Sequence, residues 1–82
     1  TAAGMSFYAQ AGAFTRVDDA QAQRAKLALL GLDAQVSERE QAGRTVYRVR
    51  VGPFDARAQA DAAIDKLQGA GVDATLVRVE RQ

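Results

Sequence analysis

The 82-residue chain contains no cysteine, no histidine and no tryptophan, and only one proline. Without cysteine there can be no disulfide staple and no thiolate metal site. Without histidine the commonest general base and the commonest metal ligand are both gone. No apolar run approaches the roughly 18 residues that a membrane span needs, and no signal peptide stands at the start. A dominant charge is missing too: eleven basic residues against ten acidic ones leave a formal +1. No global field therefore drives the chain onto nucleic acid or anionic lipid. A chain of 82 residues makes one small domain, near the low end of what buries an adequate core unaided. It begins at Thr1 rather than at a methionine. The expectation is a fragment of a longer protein, with any anchor or export signal outside it.

What the chain does have is a repeat. Residues 7–36 and 47–76 align without a gap, and nine of the thirty positions are identical. Gly12 and Phe14 answer to Gly52 and Phe54, Ala20 and Ala22 to Ala60 and Ala62, and Lys26-Leu27 to Lys66-Leu67. Gly31-x-Asp33-Ala34 answers to Gly71-x-Asp73-Ala74. Two copies are too few for a solenoid, so the repeat predicts two copies of one supersecondary unit folded on each other.

The second copy sets the facing of the first. In Val46–Phe54, Tyr47, Val49 and Val51 alternate with Arg48 and Arg50, the signature of a half-buried strand. Carried back by 40 positions, that register puts Phe7, Ala9 and Ala11 on the core side, with Tyr8 and Gln10 beside Arg48 and Arg50. A helix follows each Gly-x-Phe. Thr15 or Asp18 is expected to cap the first and Asp55 the second, with Asp18 and Asp19 near the positive end of the dipole. The expected inner stripes are Val17, Ala20, Leu27 and Leu30, and then Ala60, Ala63, Ile64 and Leu67. Gly31 ends the first helix and Gly69 or Gly71 the second. Phe14 and Phe54 wedge under the helix starts as core anchors.

A second strand follows each helix, at about 32–38 and 72–79, with Leu32, Ala34 and Val36 matching Val72, Ala74 and Leu76 as the inner face. Residues 40–44 form the hairpin loop between the halves. The predicted fold is α+β: a ferredoxin-like, RNP-like βαββαβ pseudo-repeat, with a four-stranded antiparallel sheet and two helices on one face. Residues 1–5 read as the end of a linker, 6–79 as the domain and 80–82 as a polar C-terminal tail.

No catalytic constellation is present. A nucleophile would have to be Ser6, Ser37 or a threonine, and no histidine could activate it. The carboxylates lie at helix starts and on exposed helix faces, where capping and solvation explain them. The glycines fit neither a dinucleotide fingerprint nor a phosphate loop and read as turn formers. The residues point to no enzyme, no cofactor and no metal site. The open sheet face is the candidate site: Tyr8, Gln10, Arg48 and Arg50 on the central strands, flanked by Gln35, Ser37, Thr75, Val77 and Val79. Arginine forks match carboxylate or phosphate, and tyrosine offers a stacking platform with a polar tip. Such a face suits a flat, polyhydroxylated, weakly acidic ligand.

Phe7-x-x-Gln10-x-Gly12-x-Phe14 and Tyr47-Arg48-Val49-Arg50-Val51-Gly52-Pro53-Phe54 resemble the two signature segments of the SPOR family. These are the sporulation-related, peptidoglycan-binding repeats of bacterial cell-division proteins of the FtsN type. The resemblance covers residues 6–79, and its most specific part is the Arg-Val-x-Val-Gly-Pro-Phe stretch. It implies the same two β-α-β halves and a module that binds glycan strands stripped of their stem peptides, in the periplasm at the division septum. It also implies a membrane-anchored parent protein. Lactyl carboxylates on such strands are natural partners for arginine. The resemblance carries glycan binding onto Gln10 and Arg48, and the expected site set is Gln10, Arg48, Tyr8, Val46, Arg50 and Val77. The aromatic often found two residues before that arginine is Val46 here, and the serine of the first Gly-Ser-Phe is Ala13. Tyr8 is the candidate to supply the missing ring from the neighbouring strand.

The rival readings are an RNA-binding module of RRM-like shape and a ferredoxin-like dimerisation or regulatory domain. RNA recognition needs aromatics on the central strands to stack bases, and only one tyrosine points outward there. The expected state is a monomer that binds no nucleic acid.

Overall fold

The computed structural model describes residues 4–81. Residues 1–3 of the expected linker, and residue 82 of the expected tail, lie outside the described residues. Six elements follow in the order β1 (Met5–Phe14), α1 (Val17–Leu29), β2 (Ala34–Gln41), β3 (Arg44–Phe54), α2 (Arg57–Gly69) and β4 (Thr75–Glu80). The four strands form one antiparallel sheet in the order β2-β3-β1-β4. The fold is the predicted βαββαβ arrangement, with both helices packed on one face of the sheet. The sheet runs slightly past the expected domain ends, since Met5 pairs with Glu80 and the Arg81 N–H donates to the Gly4 carbonyl.

The two copies meet in the central pair, β1 and β3. Gln10 stands opposite Arg50, Ala9 opposite Val51 and Phe14 opposite Tyr47. Two bulges interrupt the ladder. Ala11 and Gly12 together oppose Val49, and Gly52 and Pro53 together oppose Tyr8. Gly12 and Gly52 have φ of +136° and +137°, backbone that L side chains rarely adopt. The Gly52–Pro53 peptide is cis. Each bulge shifts the alternation by one residue. Ala11 and Val51 face the core before it, Ala13 and Pro53 are exposed, and Phe14 and Phe54 turn back onto the core. The wedge expected of both phenylalanines thus depends on a glycine two residues earlier.

The helices end as the repeat predicts and begin differently. Gly31 and Gly71 both have φ of +80°. In each copy the glycine N–H and the next N–H bond back to the last turn: Gly31 to Ala28 and Leu32 to Leu27, then Gly71 to Gln68 and Val72 to Leu67. These are paired Schellman stops, so Gly71 rather than Gly69 closes α2. The N-caps are Arg16 and Ala56, not Thr15, Asp18 or Asp55, and neither carries a side-chain cap bond. The chain turns into each helix one or more residues away from those polar side chains. At α2 the Gln59 side chain reaches back instead, accepting from the Ala56 N–H at 3.2 Å. Ala56 has no side-chain acceptor, so only this half of a capping box exists.

Small residues let the helices lie close on the sheet. Ala9, Ala20, Leu27, Val49, Ala60 and Leu67 have no exposed surface. Val17, expected on the inner stripe of α1, is 44% exposed because that helix begins there, at the rim. The hairpin loop is shorter than expected. Pairing runs to Gln41 and Arg44, leaving Ala42 and Gly43 with φ of 51° and 78°. Both signs match a type I′ turn, which sets the β2–β3 register.

A Cβ on Gly52 would lie 2.9 Å from the Phe7 carbonyl oxygen and 3.0 Å from Tyr8 Cδ2. Gly52→Ala should therefore lower unfolding stability by about 1–3 kcal/mol, read as a lower urea midpoint. Ala42→Asn should raise stability by about 0.5 kcal/mol or more, read as a higher midpoint, since Asn tolerates the left-handed conformation that Ala resists. An unchanged midpoint in either variant would contradict the backbone assignment at that position.

Candidate functional site

Alternation brings every residue of the expected site onto the sheet face away from the helices. The register orders that face into rows across the strands. The central row is Gln35, Arg50, Gln10 and Thr75. On one side of it Tyr8 pairs with Val77, and Ser6 with Val79 beyond. On the other side Arg48 stands between Ser37 and Ala13, and Val46 pairs with Arg39 beyond. The repeat relates the two sides by a pseudo-twofold axis through the Gln10–Arg50 pair. Under it Tyr8 answers to Arg48, Val77 to Ser37 and Val79 to Arg39. The backbone is symmetric but the chemistry is not: one half is apolar and aromatic, the other cationic and polar.

Arg50 ties down the middle. Its Nε–H donates to Gln10 Oε1 at 3.3 Å, and its guanidinium carbon lies 5.2 Å from the Tyr8 ring centroid. A cation over a ring is worth about 0.5–1 kcal/mol when exposed and more when desolvated. The Tyr8 ring also lies against Gly52, in space that a Cβ there would need. Tyr8 therefore has a structural reason to point outward: it covers the bulge glycine.

Arg48 has no such tether. Its Nε and the Oγ of Ser37 are both shielded from solvent, and neither has a hydrogen-bond partner. Each buried, unpaired polar group costs about 1–3 kcal/mol, so the two facing residues carry an unmet demand for an acceptor. Burial, then the nearby charges of Arg50 and Arg39, hold the Arg48 pKa below the usual guanidinium value. Arginine stays protonated all the same. Among the described residues the salt bridges are Arg57–Asp61 and Arg81–Asp55, and none reaches Arg39, Arg48 or Arg50.

Of the six expected residues, Tyr8, Gln10, Arg50 and Val77 form one contiguous group, while Arg48 and Val46 lie on the opposite half. The Tyr8 ring is far along the sheet from Val46. It stands over Gly52, six positions along β3, which is about 20 Å at the rise of a strand. Arg39 escaped the sequence reading, and Ser37 entered it only as a flank. Carrying the repeat one step further would have found Arg39, because it answers to Val79. Two shallow depressions, related by the repeat, lie at the sheet ends. One is lined by Gln10, Gly12, Ala13, Asp73 and Thr75, the other by Gly52, Pro53, Asp33 and Gly31. No group of three or more metal-ligating side chains occurs among the described residues. None of their helices is long and apolar enough to cross a membrane.

A family model for the SPOR domain matches residues 3–78. The chain belongs to the SPOR family. Among solved structures it is similar to the SPOR domain of RlpA from Pseudomonas aeruginosa, with 29% identity and a TM-score of 0.78. That match covers 89% of this chain and 99% of the other. It is also similar to the peptidoglycan-binding domain of the B. subtilis cell wall lytic enzyme CwlC, with 26% identity and a TM-score of 0.78, covering 94% of this chain and 91% of that one. No curated protein sequence gives a significant match.

The Gln10–Arg50 contact can be weighed by a double-mutant cycle with Gln10→Ala and Arg50→Ala. Chemical denaturation should return a coupling of about 0.5–1.5 kcal/mol. A coupling of zero would mean that the two side chains share a row without interacting.

Proposed function

We propose that this SPOR domain is a non-catalytic module that binds peptidoglycan glycan strands lacking stem peptides, and so concentrates its parent protein at the septal cell wall. The reading rests above all on the open face, where an aromatic-apolar half and an uncompensated cationic half adjoin. A muramic-acid strand has both complements: apolar sugar faces for Tyr8 and Val77, and lactyl carboxylates for Arg48. A stem peptide amidates that carboxylate, removing its charge and adding bulk, which is the physical basis for preferring stripped strands. Family membership supports the same reading, as does the likeness to a domain described as peptidoglycan-binding. An RNA reading has less support, because Tyr8 is the one aromatic on this face and base stacking on a sheet uses two or three.

The test is a pull-down on purified sacculi with and without amidase digestion. Wild type should bind more after digestion, and Gln10→Ala and Arg48→Ala should each lose about tenfold in affinity, or roughly 1.4 kcal/mol. Tyr8→Ala should also bind more weakly while remaining folded by circular dichroism. Binding that ignored digestion, or ignored all three substitutions, would remove the case for stripped glycan at this face.

A further inference from the structure

The two arginines on β3 have the same charge and different freedom. Arg50 is held by Gln10 and by the Tyr8 ring. Arg48 is held by no hydrogen bond or salt bridge among the described residues. Directly across from it, Ser37 presents the other unpartnered buried polar atom. Two adjacent donors lacking an acceptor, beside a third cation at Arg39, describe a place where a negatively charged oxygen is missing.

We propose that Ser37 and Arg48 form an oxyanion subsite on the β2–β3 half of the open face, which takes the carboxylate of an acidic sugar. This deepens the proposed function and rests on it for the identity of the sugar. The Arg48 Nε–H and the Ser37 hydroxyl donate to the carboxylate, and Arg39 supplies long-range attraction from the next row. Both donor atoms are shielded, so the Arg48 side chain lifts off Ser37 as the ligand enters. The Arg50 Nε–H already serves Gln10 and its guanidinium lies over the Tyr8 ring, so Arg50 is assigned to that neighbouring group rather than to the carboxylate. Its work is to orient Tyr8 and Gln10. Since Tyr8 and the Ser37–Arg48 pair flank the axis on opposite sides, a strand that stacks on one and docks its acid on the other has one polarity across the sheet.

N-acetylmuramic acid and N-acetylglucosamine differ by the lactyl carboxylate, so they separate the acid from the sugar. Titration of the isotope-labelled domain should shift the Arg48 Nε–H resonance and the Ser37 amide with N-acetylmuramic acid. N-acetylglucosamine should leave both in place. Ser37→Ala and Arg48→Lys, which keeps the charge but loses the Nε–H, should each weaken N-acetylmuramic acid about tenfold. Arg57→Lys, on helix α2 away from the open face, should change that affinity less than twofold. Ser37→Ala also removes an unpaired hydroxyl, so its urea midpoint should not fall, which separates lost binding from lost folding. Unmoved Arg48 and Ser37 signals, or equal shifts by both sugars, would overturn the subsite. If the monosaccharide shifts both signals while wild type ignores amidase-treated sacculi, the subsite stands and the wider reading of the domain fails.

Discussion

The structure depends on one constraint: duplication sets a residue position against its own copy. The axis of the pseudo-repeat passes between β1 and β3 at the Gln10–Arg50 pair, so whatever stands at that position faces itself. Two arginines there would put like charges directly across a ladder, which is destabilising. Gln opposite Arg turns the same geometry into a hydrogen bond of 3.3 Å. Asymmetry at the axis is thus favoured by electrostatics before any ligand is considered. The two bulges flank this pair symmetrically and fix how far it lies from each Phe.

Away from the axis the two faces follow different rules. On the helix face Leu27 and Leu67, or Ala20 and Ala60, meet equivalent surroundings and remain identical, each fully buried. Leu→Ala at such a site would leave a cavity and cost about 2–5 kcal/mol, so there is little room to diverge. On the open face the equivalents are Tyr8 and Arg48, Val77 and Ser37, Val79 and Arg39. There packing restrains little, and the chemistry of the two halves has separated. The loss of symmetry marks the face that meets something other than the protein itself.

The element order, the facing of the central strands and the helix stops were legible because the repeat transfers the clean alternation of Val46–Phe54 onto Phe7–Phe14. The bulges were not, since an alternating pattern does not reveal one extra residue, and both Phe residues reach the core only through them. The helix starts were misread because capping was sought in Thr15, Asp18 and Asp55, whereas the N-caps are Arg16 and Ala56, whose own side chains make no cap bond. The Ser37–Arg48 pairing was also hidden. It follows from a two-residue turn whose first residue, Ala42, carries none of the usual turn signals. A loop spanning 40–44 would have left that register open.

A formal charge of +1 suggests a chain with little electrostatic character, and the fold shows why that total misleads. Asp18, Asp19, Asp61 and Asp65 are exposed on the helices, while Arg39, Arg48 and Arg50 lie on the open sheet face. The molecule is 16 Å across its thinnest dimension, about twice the Debye length at physiological salt. Acids on one side are therefore largely screened from a ligand arriving on the other. A ligand there would meet a local cationic field to which Arg39, Arg48 and Arg50 contribute, none of them held in a salt bridge among the described residues. Arg50 is committed to Gln10 and Tyr8, which leaves Arg39, exposed toward the rim, and Arg48. Of these two it is Arg48 whose Nε is shielded and unpartnered, and Ser37, across the ladder from it, carries the one other such buried side-chain atom among the described residues.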